Sequence, residues 1–431
     1  MELSKTDILN YIKPSNLRKQ PVFVNMASLG LLQIANYIIP IVVIPFVVRA
    51  LGADSFGKAS YAQNIIAYLT IIVNYGFEYS ATQEVAINRE NHSKLISIFW
   101  TVIKTKLMLL LASFVILGTL YFTFPKVHED PVLYLFAALV NIGFALFPTW
   151  FFQGMEKMAK MAALNFAIRI TSGTLTILLI TAPEHYRYYL LISSTAYIVV
   201  GFIAFCYVIG HYKLMPEEGT HNEWAPVKKG FPIFLNNIFA TLYTTAGFTI
   251  LGLYCTDAEL GIYSGAYKII MAFVMLTSMP ITLALFPNIS RKFNESRSAG
   301  YSQLKKSSII VGVFAITITV FVFFAAPLLV SLLLGSDFTA STPLLRAFSP
   351  LPFLIIMASM FTVQGLYGLQ LQKYAPYIGL TSGIVCITLT ITLFPVCGYY
   401  SAIIGYLTAE LCEIILSGTI MWINAGKGSV K

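Results

Sequence analysis

The 431 residues are 57% hydrophobic and only 11% charged, with a mean hydropathy of +0.75, far from the balance of a soluble domain. The net charge of +9 does not point to nucleic acid, because the basic residues sit in short polar segments between apolar runs rather than on one face of a folded domain. Those segments never exceed roughly twenty residues, which leaves no room for a soluble catalytic domain.

Windows of about twenty apolar residues, the length that crosses a hydrocarbon core, predict spans at Val24 to Val48, Tyr61 to Val85, Ile103 to Phe124, Val132 to Phe152, Ala162 to Ala182 and Tyr188 to Gly210. The polar stretch His211 to Gly230, with Pro216, Glu217, Glu218, Gly219 and Pro226, reads as a central connection. Six more spans follow at Phe231 to Tyr254, Ser264 to Pro287, Ser308 to Leu334, Leu345 to Leu369, Tyr377 to Pro395 and Ser401 to Ile423. The expected fold is an all-α integral membrane protein of about twelve helices, in two six-helix lobes (1–210 and 231–431) joined by 211–230 around a central cleft. The start of the chain, with Lys5, Lys13, Arg18 and Lys19, lacks the short apolar core and small-residue cleavage site of a signal peptide and is expected to stay in the cytoplasm. That orientation puts both termini inside, with roughly 21 of the 28 Lys and Arg residues on cytoplasmic segments, the bias that orients membrane proteins. The richest such segment, Asn288 to Ser307, carries Arg291, Lys292, Arg297, Lys305 and Lys306; it reads as an orientation signal or a contact for anionic head groups.

The halves echo each other. Phe56-Gly57-Lys58-Ala59-Ser60-Tyr61-Ala62 before the second span resembles Leu260-Gly261-Ile262-Tyr263-Ser264-Gly265-Ala266 before the eighth. A fainter echo sets Gly154-Met155-Glu156-Lys157 against Gln370-Leu371-Gln372-Lys373. Six spans per half give the repeats one orientation and an axis along the membrane normal, a geometry that leaves a cleft between two bundles.

Ionisable residues inside spans are costly and are functional candidates by default. Arg169 and Lys268 are the deepest cations, and Arg49 closes the first span; each has an interfacial or snorkelling reading beside the functional one. Lys104 and Lys106 read as snorkelling to the cytoplasmic surface. In the second span Tyr61, Asn64, Tyr68, Tyr75 and Tyr79 fall on one helical face, with Glu78 beside it and Glu84 beyond. Asn237, Thr241 and Thr244 make a weaker stripe in the seventh. Both stripes fit either a substrate or interhelical hydrogen bonds. Glu410 and Glu413 in the last span could carry protons or pair with a cation. Pro40, Pro45, Pro280, Pro350 and Pro352 predict kinks, and Pro40 with Pro45 marks the first span as a moving element. Five dispersed cysteines read as packing residues, with a Cys255 to Cys397 bridge as the alternative; neither they nor the five histidines have metal-ligand spacing. No Gly-Lys-Ser/Thr nucleotide loop occurs.

Particular strings carry a family likeness: Val47-Val48-Arg49-Ala50-Leu51-Gly52 with Phe56-Gly57, Tyr75-Gly76-Phe77 with Ser80-Ala81-Thr82-Gln83, Ser97-Ile98-Phe99-Trp100, Trp150-Phe151-Phe152-Gln153-Gly154-Met155-Glu156-Lys157-Met158, Phe286-Pro287-Asn288-Ile289-Ser290, and Ser349-Pro350-Leu351-Pro352-Phe353-Leu354-Ile355. Together, in this order, they resemble the Wzx-type O-antigen flippases, in the superfamily of the multidrug and toxin extrusion transporters. The resemblance implies a multi-pass inner-membrane transporter, not an enzyme and without a cofactor. It would move an undecaprenyl-diphosphate-linked oligosaccharide from the cytoplasmic to the periplasmic leaflet, with membrane lipids, the O-antigen polymerase and the chain-length regulator as candidate partners. Arg49, Arg169 and Lys268 would then meet the diphosphate, Tyr61, Asn64, Tyr68 and Asn237 the sugars, and Glu78, Glu84 and Glu410 a coupling ion. Two rivals stand beside it: a cation-coupled drug antiporter, which would favour deep carboxylates, and a membrane polymerase or ligase, which would need a larger outer loop.

Overall fold

The computed structural model describes residues 21–216 and 223–425. Lys5, Lys13, Arg18 and Lys19 of the N-terminal segment, and Glu217, Glu218 and Gly219 of the central connection, lie outside the described residues. Every regular element described is a helix, as hydrocarbon demands, because a helix satisfies each backbone N–H and C=O within its own segment. In chain order, α1 is Pro21–Asn74, α2 Phe77–Ile87, α3 His92–Thr123, α4 Pro125–Glu129, α5 Pro131–Ala138, α6 Val140–Leu146, α7 Thr149–Gly154, α8 Met158–Leu179 and α9 Tyr186–Tyr212. The second half holds α10 Ala225–Tyr254, α11 Asp257–Glu295, α12 Arg297–Leu333, α13 Ser341–Phe348, α14 Leu351–Ser359 with a π-helical turn at Met360–Leu366, α15 Ala375–Cys397 and α16 Tyr400–Ala425. Among the described residues ten helical stretches are long and apolar enough to cross a membrane, or eleven when the bent α10 counts as one. α1 turns back at Gly52 (φ 68°, ψ 176°), so that Ile44 before the turn and Ser60 after it both come to Lys268.

Helix breaks mostly avoid the prolines that announce them. The helices run unbroken through Pro40, Pro45 and Pro280. They break instead at Tyr75 and Gly76, both left-handed (φ 51° and 83°), and at Phe147–Pro148. Pro350 and Pro352 do mark a break, at the start of α14. α10 bends by 49° between Leu242 and Thr244. There the hydroxyl of Thr244 donates back to the Ala240 carbonyl at 3.2 Å and that of Thr245 to the Thr241 carbonyl at 2.7 Å, a bond that bends helices.

Much of what reads as connection is helix. α3 begins at His92 rather than Ile103, and α11 and α12 meet across Ser296 alone. Lys, Arg and Glu extend helices readily, and each start is capped: the Asn91 side chain accepts from the Lys94 N–H at 3.1 Å and Ser296 from Ala299 at 3.1 Å, while Thr256 and Glu259 form a capping box. All five cysteines are unbridged, Cys255 and Cys397 included.

The apolar core is divided unevenly. One cluster, from Val47 to Tyr406, mixes residues of both halves: Val48, Leu51 and Phe56 with Leu260, Ala266, Phe338 and Phe348. A second holds buried residues of the first half alone, between Phe77 and Leu214. A third holds residues of the second half alone, between Ile289 and Met421. The helices are therefore packed as one body around the Gly52 turn and as two bodies at the opposite end.

The two sequence echoes differ in structural weight. A Cβ on Gly57 would lie 1.8 Å from the Asp257 carbonyl oxygen, and a Cβ on Gly261 would lie 1.9 Å from that of Ala53. Each glycine thus sits against the residue four positions before its counterpart, a reciprocal contact that only the absence of both side chains permits. The fainter echo is equally regular but two residues out of register. Glu156 (φ 57°) and Gln370 (φ 60°) are both left-handed, and each is followed by a residue whose N–H reaches back five positions at 2.8 Å, Lys157 to Phe152 and Leu371 to Leu366. This is one helix-ending motif used twice.

Gly57→Val or Gly261→Val should pry the two turns apart and cost at least about 1–3 kcal/mol, the usual range for overpacking. A thermal melt of each variant in detergent checks it, and an unchanged midpoint would count against the contact.

Candidate functional site

The second arm of α1 carries the polar face that its spacing predicts, and one residue gathers it. Asn64 Nδ2 donates to Thr249 Oγ1 at 2.7 Å, the Tyr68 hydroxyl pairs with the same oxygen at 3.0 Å, and the Tyr61 hydroxyl donates to the Thr249 carbonyl at 3.2 Å. Thr249 lies on α10, beyond the bend, so this cluster joins the two halves. α10 approaches closely because it has Gly252 opposite Tyr61; a Cβ there would fall 1.9 Å from the ring. The stripe ends where the helix does. Tyr75, in the left-handed break, stacks on Phe234 with ring centres 5.1 Å apart, and Tyr79 beyond it is 68% exposed. Asn237 is half-buried on the other arm of α10, and Thr244 is turned back on its own helix.

The cations go to three different surroundings. Lys268 Nζ reaches Ser60 Oγ at 3.3 Å and Gln63 Oε1 at 3.4 Å, and lies 4.5 Å from the centre of the Phe56 ring. It is the one charged residue lining a cavity of about 170 Å³ walled by Ile41, Ile44, Phe273, Leu276 and Leu329. Ser60 and Gln63 adjoin the Thr249-facing residues on the same helix, so amino group and hydroxyl cluster flank one arm of α1. Arg169 is half-buried on α8, its guanidinium 5.7 Å from the centre of the Tyr197 ring. Arg49 sits just before the Gly52 turn, where Nη2 donates to the Leu332 carbonyl at 2.7 Å, capping the end of α12.

Lys104 is exposed, whereas Lys106 departs from the snorkelling expectation. Its side chain is buried, and Nζ donates to the Phe144 carbonyl at 2.7 Å. The helical donor for that carbonyl would be residue 148, a proline without an N–H; Lys106 supplies the missing hydrogen.

The three candidate coupling carboxylates are not brought together. Glu78 is exposed. Glu84 is buried and accepts Lys229 Nζ at 2.5 Å, tying α2 to α10. Glu410 is buried on α16, and none of the ion pairs among the described residues includes it. One turn on, Glu413 accepts from Thr362 Oγ1 at 2.8 Å, and Thr362 pairs with Ser417 at 2.8 Å. Thr362 lies in the π-helical turn, an irregularity frequent at functional sites. Among the described residues no group of three or more His, Cys, Asp and Glu could hold a metal.

No motif announces the closure beside the turn before α11. Lys126 Nζ meets Asp257 at 2.5 Å, their side chains 20% and 18% exposed, with the same Nζ 5.9 Å from the Tyr61 ring centre. Asp130 beside it accepts the Tyr186 hydroxyl at 2.7 Å and Arg187 Nε at 3.0 Å. These residues lie in or beside short connections, where charge is ordinary and no periodicity distinguishes it.

Residues 22–293 match the family described as "Polysaccharide biosynthesis protein". The chain is 28% identical over 415 residues to an Escherichia coli (strain K12) protein named "Putative O-antigen transporter", covering 94% of this chain and 97% of that one. Its fold is similar to an inward-facing multidrug resistance MATE transporter (TM-score 0.66, 12% identity, 94% and 100% of the two chains). It is also similar to the lipid II flippase MurJ in an inward closed conformation (TM-score 0.65, 15% identity, 90% and 86%). The chain belongs to the polysaccharide biosynthesis protein family and is a multi-pass membrane protein.

Proposed function

We propose that the chain moves an undecaprenyl-diphosphate-linked O-antigen repeat unit from the cytoplasmic to the periplasmic leaflet of the bacterial inner membrane by alternating access. Twelve passes follow if the reversal at Gly52 makes two spans of one helix and the bent α10 is a single span. Two six-helix lobes, 1–210 and 231–431 with 211–230 between them, accord with two half-specific cores, and the charge bias favours cytoplasmic termini.

The observation that carries this reading is Lys268: an amino group in the wall of an apolar cavity, beside a cluster of tyrosine, asparagine and threonine. An amphipathic anion fits such a place, its diphosphate drawn to a charge at reduced dielectric and its polyprenyl tail along Ile41, Ile44 and Leu329. Arg169 would hold the diphosphate during passage, and Tyr61, Asn64, Tyr68 and Asn237 would exchange their protein partners for sugar hydroxyls. Arg49 would contribute once the outer turns part and its hold on α12 is released. A cation antiporter would need a carboxylate where the substrate sits, and the cavity at Lys268 is lined by none. In the cycle, Lys126–Asp257 and the two glycine contacts close the outer side, and Lys229–Glu84 ties the inner side.

Complementation of a flippase-null strain with a defined O-unit tests the cationic site. Lys268→Ala and Arg169→Ala should each lower surface polymer about tenfold or more at equal protein level, because hydrogen bonds to charged groups are worth about 1.5–3 kcal/mol; full display with both changed would sink the reading. Lys126→Ala should loosen the outer side, read as faster alkylation by an impermeant thiol reagent of a cysteine placed at Gln63, and an unchanged rate would show that the pair is no gate. For coupling, Glu410→Gln should abolish the response of transport to an imposed ion gradient while leaving binding intact; a persisting response would assign coupling elsewhere, with Glu78 and Glu84 next in line.

A further inference from the structure

Arg297, Tyr301, Lys305 and Ile309 follow one another at intervals of four on α12 and so share one side of it. That side meets the last turn of α16. Arg297 Nη1 donates to the Asn424 carbonyl at 2.5 Å, and the Tyr301 hydroxyl to the Met421 carbonyl at 2.9 Å. Further along, α12, the α14 segment with its π turn, and α16 leave a groove of about 500 Å³ walled by Ile309, Met357, Phe361, Met421 and Trp422, with Lys305 its one charged residue. Ile309 and Trp422 are 58% and 78% exposed. The floor is open at Gly418, where a Cβ would touch only the Phe361 ring, at 3.6 Å.

We propose that this groove is a binding site for an anionic phospholipid of the leaflet at the Arg297 end of the protein, the phosphate at Lys305 and the acyl chains along Ile309, Met357 and Phe361. The charge fixes the choice of occupant. Between residues 291 and 306 the chain has Arg291, Lys292, Arg297, Lys305 and Lys306 against a single acid, Glu295. Glu295 is already engaged by Lys292 at 2.6 Å and Arg291 at 3.9 Å, which leaves the positive charge at the groove uncompensated by any carboxylate of that segment. Cations at the helix start with apolar walls below them mirror a phospholipid from phosphate to tail, and Trp422 is a side chain suited to the depth where the two meet. The groove shares no lining residue with the Lys268 cavity, so a lipid held here is separate from the transported one.

Native mass spectrometry of the full chain in mild detergent, after exposure to dioleoylphosphatidylglycerol or dioleoylphosphatidylcholine, tests the site. The wild type should retain the glycerol lipid over the choline lipid. Lys305→Gln should lower that retention about fivefold, the weight of one lysine beside an anionic surface, and Gly418→Leu, which fills the floor and keeps the charge, should lower retention of both lipids. Equal retention of the two lipids by the wild type, or unchanged retention in both variants, would overturn the proposal. Displacement of the bound phosphatidylglycerol by an undecaprenyl-diphosphate sugar would also overturn it, by making the groove a cargo site.

Discussion

The reciprocal approach of two glycines sets the geometry of the whole molecule. Gly57 against the Asp257 carbonyl and Gly261 against the Ala53 carbonyl bring the turn at Gly52 and the turn before α11 into backbone contact. That contact fixes the height at which the second arm of α1 meets α10 and α11. It sets Asn64 and Tyr68 opposite Thr249 and Ser60 opposite Lys268. A methyl group on either glycine would separate the turns before any side chain further along could pair. The same contact explains why the apolar core is continuous at this end and divided at the other.

Charge inside the membrane is costly, and two of the chain's intramembrane cations offset that cost by bonding backbone groups that would otherwise lack a partner. Lys106 donates to the carbonyl that Pro148 strands, and Arg49 to a carbonyl at the end of α12. Both reach 2.7 Å, the short distance of charge-assisted bonds. Lys268 differs in kind. Its neighbours are a hydroxyl and an amide oxygen at 3.3 and 3.4 Å and the face of an aromatic ring, all neutral, so its charge is solvated but not compensated. An anion entering the adjoining cavity would meet it at little rearrangement cost.

The regular part of this arrangement was legible in the sequence. Apolar length gave the helices, and a spacing of three and four placed Tyr61, Asn64 and Tyr68 on one face. The hub they share was not legible, because Thr249 is one hydroxyl in an apolar run and resembles any threonine bonded to its own helix. Nor could the burial of Lys106 be read, since it depends on a proline 42 positions later in the chain (148 against 106). Proline misled in the other direction: Pro40, Pro45 and Pro280 lie within unbroken helices, while breaks fall at Gly52 and at the Tyr75–Gly76 pair, where a positive φ rather than a missing N–H ends the helix. The fainter of the two internal echoes encoded a helix-ending motif whose backbone is repeated bond for bond. Sequence alone set it two residues out of register, because left-handed residues other than glycine carry no fixed identity.

The uneven core also gives the two arms of α10 different surroundings. Prying apart the end at the Gly52 turn exposes a continuous apolar cluster and breaks a half-buried ion pair, whereas the opposite end has two separate cores and is bridged by α10. The first arm of α10 leans on α2 through Lys229 and Glu84 and through the contact of Gly76 with Ile233. Its second arm carries Thr249 into the central cluster. The bend between them carries threonine back-bonds and is packed on both sides, with Phe239 and Ala240 near Gly379 and Gly247 against Ala402. The bend in α10 therefore lies on the side of the molecule where the apolar core is divided, and the two arms of that helix answer to different neighbours.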